Sequence, residues 1–173
     1  MGCHEREGEG ACGSYNQGQA LHCMKTVHKS VLIWYSAEEM FALVTDVSSY
    51  PHFLPWCDQA SVLQQDEHGM TAKVGISIGG LKQGFTTRNE HVPGREVSMQ
   101  LVDGPFSKLD GRWLFTPLDS ADGVKQRACK VEFTLRYDFS SMALAALVGP
   151  VFDKIAGSFV DAFVKRAGQV YAP

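Results

Sequence analysis

Charge is scarce in this sequence and nearly balanced. Lysine and arginine total 16 against 19 aspartates and glutamates, a net charge of -3. That balance argues against a protein that grips nucleic acid through bulk positive charge, while leaving room for a local basic patch. Long apolar runs are missing too. The strongest, residues 142–152, is about half of a bilayer span, and Asp153 and Lys154 close it. No nucleophilic-serine elbow, phosphate-binding loop or paired zinc-ligand motif occurs, and there is no internal repeat. Cysteines are few and odd in number, five in all. Cys57 and Cys129 stand alone in apolar surroundings. This is the usage of a reduced intracellular protein with small buried thiols, not of a disulfide scaffold.

Large apolar residues are almost absent from residues 1–23, a stretch rich in Gly, Glu and Gln. It lacks the basic start and apolar middle of a signal peptide, and Glu5, Glu7 and Glu9 do not suit a mitochondrial transit peptide. The expectation is a disordered tail, or a mis-assigned start with Met24 as the true first residue. A third reading, a metal site from Cys3, His4, Cys12, His22 and Cys23, matches no compact zinc spacing. The remaining residues, 24–173, form one domain with ample chain for a core.

The element that organises this domain is its last. Over residues 141–171, Leu144, Leu147, Val148, Val151, Phe152, Ile155, Phe159, Phe163, Ala167 and Val170 recur at three- and four-residue steps. This predicts one wide apolar face on a helix about 45 Å long. Gly149 and Pro150 predict a kink or restart.

Upstream, period-two alternation predicts strands. The first covers residues 25–35. Ser36 and Glu39 then make a capping box for a helix to about Asp46, followed by a short helix or turn over 47–50. The stretch 50–57 carries more aromatic and proline residues than a solvated loop does, so it packs down or closes a pocket. Strands follow at 60–65, 70–78, 83–92, 97–101, 106–117 and 130–139, with turns at Gly79, Pro93, Gly104 and a polar loop at 119–126. Short turns between successive strands predict an antiparallel meander, one face covered by the terminal helix.

This order, and residues at three places, resemble the START-like (helix-grip) superfamily. Within it the likeness is to the coenzyme Q-binding protein family that also contains the ribosome-association toxin RatA. The motifs are Val47-Ser48-Ser49-Tyr50-Pro51-His52-Phe53-Leu54-Pro55-Trp56-Cys57 and the segment 102–115, with Gly104-Pro105-Phe106, Lys108 and Gly111-Arg112-Trp113. The third is the terminal helix, with Phe152, Phe159, Phe163, Arg166, Ala167 and Tyr171. The resemblance covers 24–171. It implies an α+β fold, a curved antiparallel sheet of six to seven strands around a long C-terminal helix.

The resemblance further implies non-catalytic binding of a hydrophobic isoprenoid, ubiquinone or a related quinone, between sheet and helix, as a carrier supporting respiration. No cofactor is required. A RatA-like role on the large ribosomal subunit, blocking subunit association, and a polyketide cyclase-like enzyme are the alternatives. The expected setting is cytoplasmic, at most peripheral to a membrane, with transient membrane contact and a monomer or weak oligomer.

Quinone binding needs an apolar tunnel and one or two donors for ring carbonyls. Candidate lining residues are Val74, Ile76, Met99, Leu101, Trp113, Phe115, Phe133, Leu135, Val151, Phe152, Ile155 and Phe159, with Phe53, Leu54, Trp56 and Phe106 from the two motifs. The same alternation would also fill a dry core. Trp56 and Trp113 bring indole donors, and Lys108 follows a turn from which it reaches a head group or stays solvated. His52 is a loop histidine with the option of contacting a ring carbonyl. His28 and His91 are the polar exceptions among inward strand positions. Arg88 and Glu90 are expected to pair. Lys125, Arg127, Lys130 and Arg136, joined by Lys108 and Arg112, form the candidate ribosome surface, though Asp119, Asp122 and Glu132 interleave with them.

Overall fold

A computed structural model describes residues 24–172 except 120, 121 and 124, with backbone alone for 125 and 126. The metal reading of the N-terminal cysteines and histidines lies outside the described residues.

Seven strands form one sheet in the order β1-β7-β6-β5-β4-β3-β2. They are β1 (Lys25–Ile33), β2 (Cys57–Asp66), β3 (Gly69–Ile78), β4 (Leu81–Val92), β5 (Glu96–Asp103), β6 (Phe106–Asp119) and β7 (Lys125–Phe139). All neighbours are antiparallel. The meander thus runs from β2 to β7, and β1 returns to the far edge beside β7. Helix α1 (Ala37–Thr45) and a 3-10 segment, Val47–His52, carry the chain from β1 to β2, at opposite edges. Helix α2 (Met142–Tyr171) is the last element. This is the expected α+β helix-grip architecture.

Local chemistry explains the boundaries. Ser36 Oγ accepts from the Glu39 N–H, and the Glu39 carboxylate accepts from the Ser36 N–H. This reciprocal pair satisfies two orphan donors and starts α1. Pro51 sits inside the 3-10 segment, which then ends at Phe53, where the chain turns towards β2.

The expected restart at Pro150 does not occur. Helix α2 is continuous through it over 30 residues. Proline removes one backbone donor, leaving the Ala146 carbonyl without its helical partner. Ala146 and Pro150 are both exposed, so water can meet that carbonyl. By length and composition α2 also passes for a membrane-spanning helix. Its buried residues, among them Val148, Phe152, Ile155, Val160 and Phe163, share one core with the sheet. Leu147 and Val170, expected on the apolar face, are exposed instead.

The core is dense with rings at its centre. Trp113 lies 4.4 Å from Phe133 and 5.2 Å from Phe163 between centroids, and Tyr50 meets Phe163 edge-on at 5.3 Å. Such tilted pairs add to area burial. Tyr50 Oη donates to the Val44 carbonyl at 2.6 Å, which pins the 3-10 segment to α1. Burial pushes the Tyr50 phenol far above its ordinary range.

Candidate functional site

Between α2 and the inner face of the sheet lies a partly open cavity of about 60 Å³. One water needs roughly 10–15 Å³ on this measure, and benzene fills a cavity of about 150 Å³. The space therefore suits a few waters and is smaller than a quinone ring.

Nine candidate residues line it: Trp56, Val74, Ile76, Met99, Phe133, Leu135, Phe152, Ile155 and Phe159. Seven further residues do so without having been anticipated: Val47, Tyr50, Phe85, Thr87, Asn89, Leu109 and Ala156. Period-two spacing along β4 places Phe85, Thr87 and Asn89 on one face, and that face lines the cavity.

Thr87 and Asn89, 3% and 6% exposed, are polar side chains of this wall, beside the Tyr50 phenol and the Trp56 indole. Thr87 Oγ1 donates to Asn89 Oδ1 at 2.8 Å. The backbone is irregular here. Thr86 pairs with Asp103 but Thr87 with Leu101, so β5 carries an extra residue, Val102, which is exposed. A bulge of this kind bends a strand and re-aims its side chains. Behind Asn89 stands Gly69, at a φ of 154°, where an added Cβ would lie 1.9 Å from the Asn89 carbonyl oxygen. Only glycine allows that approach.

The remaining candidates lie elsewhere. Trp113 and Phe115 stack at 6.2 Å deeper in the core. The Trp113 indole N–H is buried without a hydrogen-bond partner among the described residues. Phe106 joins Phe139 and Phe152 at 5.1 and 4.9 Å. Phe53 packs on Phe163 at 5.2 Å and is covered by the Arg166 guanidinium at 5.3 Å. Leu54 is buried in the same core. Lys108 and Leu101 line a shallow cleft with Asp110 and Arg136. Lys108 points outward because a register shift inserts Ser107 between Phe106 and Lys108.

Val151 lines an open groove of about 610 Å³ at one end of the cavity. Pro55, Trp56, Ile78, Pro150, Lys154 and Ile155 are among its other walls. Trp56 and Ile155 line both spaces, so those two side chains separate chamber from groove.

The histidines divide. His28 is exposed on the outer face, its Nδ1 2.9 Å from Thr134 Oγ1, which corrects its inward assignment. The return strand pairs Val27 with Leu135 and His28 with Thr134, and it is the valine that shares the core side. His91 lies under Phe41 at 5.7 Å, and burial lowers its pKa. His52 is exposed. Arg88 pairs with Asp66 at 2.9 Å and not with Glu90.

The basic residues of the late hairpin are largely neutralised. Arg112 meets Glu96 at 2.8 Å, Arg136 meets Asp110 at 2.6 Å, Lys130 meets Glu132 at 2.9 Å and Arg127 meets Glu39 at 2.6 Å. The Lys125 side chain lies outside the described residues. Among the described residues no group of three or more histidines, cysteines or carboxylates is placed to hold a metal ion.

A family model described as polyketide cyclase / dehydrase and lipid transport matches residues 33–164. The chain belongs to that family. The ribosome association toxin RatA of Vibrio cholerae serotype O1 is 47% identical over 148 residues, covering 86% of this chain and 99% of that protein. A mitochondrial coenzyme Q-binding protein homologue from Xenopus laevis is 27% identical over 146 residues, covering 83% of this chain and 58% of its own. Among solved structures, the Zhui aromatase/cyclase of a Streptomyces species superposes with a TM-score of 0.71 at 15% identity, covering 87% and 98% of the two chains. A START superfamily protein from Mycobacterium smegmatis gives 0.68 at 19%, covering 84% and 98%. At these identities the two structures speak for the fold alone.

Proposed function

We propose that this protein is a non-catalytic binding protein that associates with the ribosome, on the large subunit, as the RatA resemblance implies. The observation that carries this reading is the 47% identity extending over 99% of the Vibrio cholerae RatA protein. The chamber supports the non-catalytic part. Its polar side chains are Thr87, Asn89, Tyr50 and Trp56. The amide, hydroxyl and indole do not titrate near neutral pH, and the Tyr50 phenol is pushed far above its ordinary range and committed to the Val44 carbonyl. The paired outer face bears on how the ribosome would be held. Because Arg112, Arg136 and Lys130 are each engaged with a carboxylate, we expect association to lean on shape and a few contacts, with a shallow salt dependence. Co-sedimentation of the purified full chain with isolated large subunits tests this. Binding that survives moderate salt is expected; no binding to large subunits at low salt would sink the proposal.

A second reading is favoured by the chamber itself. A mostly apolar space with one hydrogen-bonding pair, adjoining an apolar groove across Trp56 and Ile155, fits a site for a hydrophobic molecule, with ubiquinone or a related isoprenoid quinone the candidate. At about 60 Å³ it must widen to take one. Organic extraction of the purified protein with mass spectrometry of the extract tests it. A roughly stoichiometric quinone supports the reading. A lipid-free protein that also refuses added quinone removes it.

A further inference from the structure

An amide buried in an apolar chamber costs free energy unless its donors and acceptors are met. Asn89 is half met. Thr87 occupies its oxygen, which fixes the amide and turns its two N–H donors the other way. No described residue accepts from that nitrogen. Nor is it sealed in protein: the buried side-chain atoms without partners, among the described residues, belong to His91, Asp110, Trp113 and Arg166. The donors therefore open on the chamber that Asn89 lines. No charged side chain shares that lining.

These facts constrain a ligand that displaces water from Asn89. A carboxylate would enter an apolar space with no cation to meet it, at high cost. A pure hydrocarbon would cover the amide and leave its donors unmet. A neutral molecule with a carbonyl-type acceptor meets both conditions.

We infer that Asn89, held by Thr87, selects a neutral hydrophobe bearing a carbonyl-type acceptor, which enters from the outer groove past Trp56 and Ile155. The inference rests on the second reading above, that the chamber takes a hydrophobic ligand. The groove holds the apolar chain while the acceptor sits on Asn89. Gly69 matters indirectly, because any side chain there would displace the Asn89 backbone.

The full chain contains two asparagines, Asn16 and Asn89, so asparagine-selective nitrogen-15 labelling gives two side-chain amide pairs. Titration with 2-undecanone, n-undecane and decanoate near neutral pH is the test. The ketone should shift the Asn89 pair, leave Asn16 in place, and bind about tenfold more tightly than the alkane. Decanoate should bind more weakly than the ketone. Asn89→Leu should abolish the preference for ketone over alkane while still binding both. Should that variant not fold, the wild-type titration decides alone. Ketone binding with the Asn89 amide unmoved, or decanoate binding as tightly as the ketone, would overturn the inference and leave the chamber reading standing. Failure of all three probes to bind would overturn both.

Discussion

Tyr137 on β7 donates its phenolic hydrogen to the Asp153 carboxylate on α2, and Lys25 on β1 reaches the other oxygen of that carboxylate at 2.6 Å. One acidic side chain thus ties the long helix to two neighbouring strands. Tyr137 is 1% exposed, whereas Asp153 is half-exposed. Burial, then the hydrogen bond to Asp153, pushes the phenol well above its ordinary range. The asymmetry sets the cost of breaking the pair. Asp153→Ala strands a buried hydroxyl and should cost about 1–3 kcal/mol; Tyr137→Phe leaves a carboxylate that water can reach and should cost about 1 kcal/mol. Urea unfolding of the two variants checks the order, and equal losses would contradict it.

Glu39 should contribute to acid sensitivity, alongside the other depressed carboxyls Asp66 and Glu96. The Arg127 hydrogen bonds hold its carboxyl below the usual range, with the Ser36 N–H assisting. A depressed folded pKa means the unfolded chain binds the proton first. The stabilisation is therefore complete above the unfolded value of about 4.3 and lost as pH falls through the lower folded one. Arg127 also donates to the Tyr171 carbonyl at 2.9 Å, so the C-terminal end of α2 should loosen in the same window. Thermal melts across that range should show a flatter pH profile for Glu39→Gln than for the parent; identical profiles would remove Glu39 from the account.

Two apolar positions of α2 should respond oppositely to truncation. Phe163 is fully buried among Tyr50, Phe53, Trp113 and Phe159, and Phe163→Ala should cost about 3–5 kcal/mol. Leu147 is 64% exposed, and Leu147→Ala should fall within about 0.5 kcal/mol of the parent. Denaturation midpoints separate the two.

Cys57 and Cys129 should resist thiol reagents while the protein is folded. Both are buried, and desolvation pushes each thiol up to about 11, so thiolate is scarce at neutral pH. Peptide mapping after mild alkylation should find both unmodified, and both modified once denaturant is added. Labelling at native rates equal to a free thiol would show that these sites open readily.

The capping box at Ser36 and Glu39 was legible because it is a local hydrogen-bond exchange over four residues. The strands from β3 to β7 were legible because alternation survives in them. The polar pair was harder to see. Nothing in the order of Thr86, Thr87, Arg88 and Asn89 marks a cavity wall, nor the bulge at Val102 that faces them. Lys108 was legible as a turn residue, but its outward direction depends on the shift at Ser107. The cations of the late hairpin were visible as residues. Their neutralisation was not, since Glu96, Asp110 and Glu39 come from β5, β6 and α1.

Sequence alone determined the order of elements, the helix start at Ser36 and the alternation within most strands, since spacing and capping act over a few residues. Tertiary structure decided how far α2 stands from the sheet, and hence the size of the chamber. A filled core and a hollow one share the same alternation, and only packing distinguishes them. It also decided that Pro150 stays within a continuous helix, at an exposed turn where Ala146 too is exposed, and that Asn89 turns its donors inward, because Thr87 holds its oxygen.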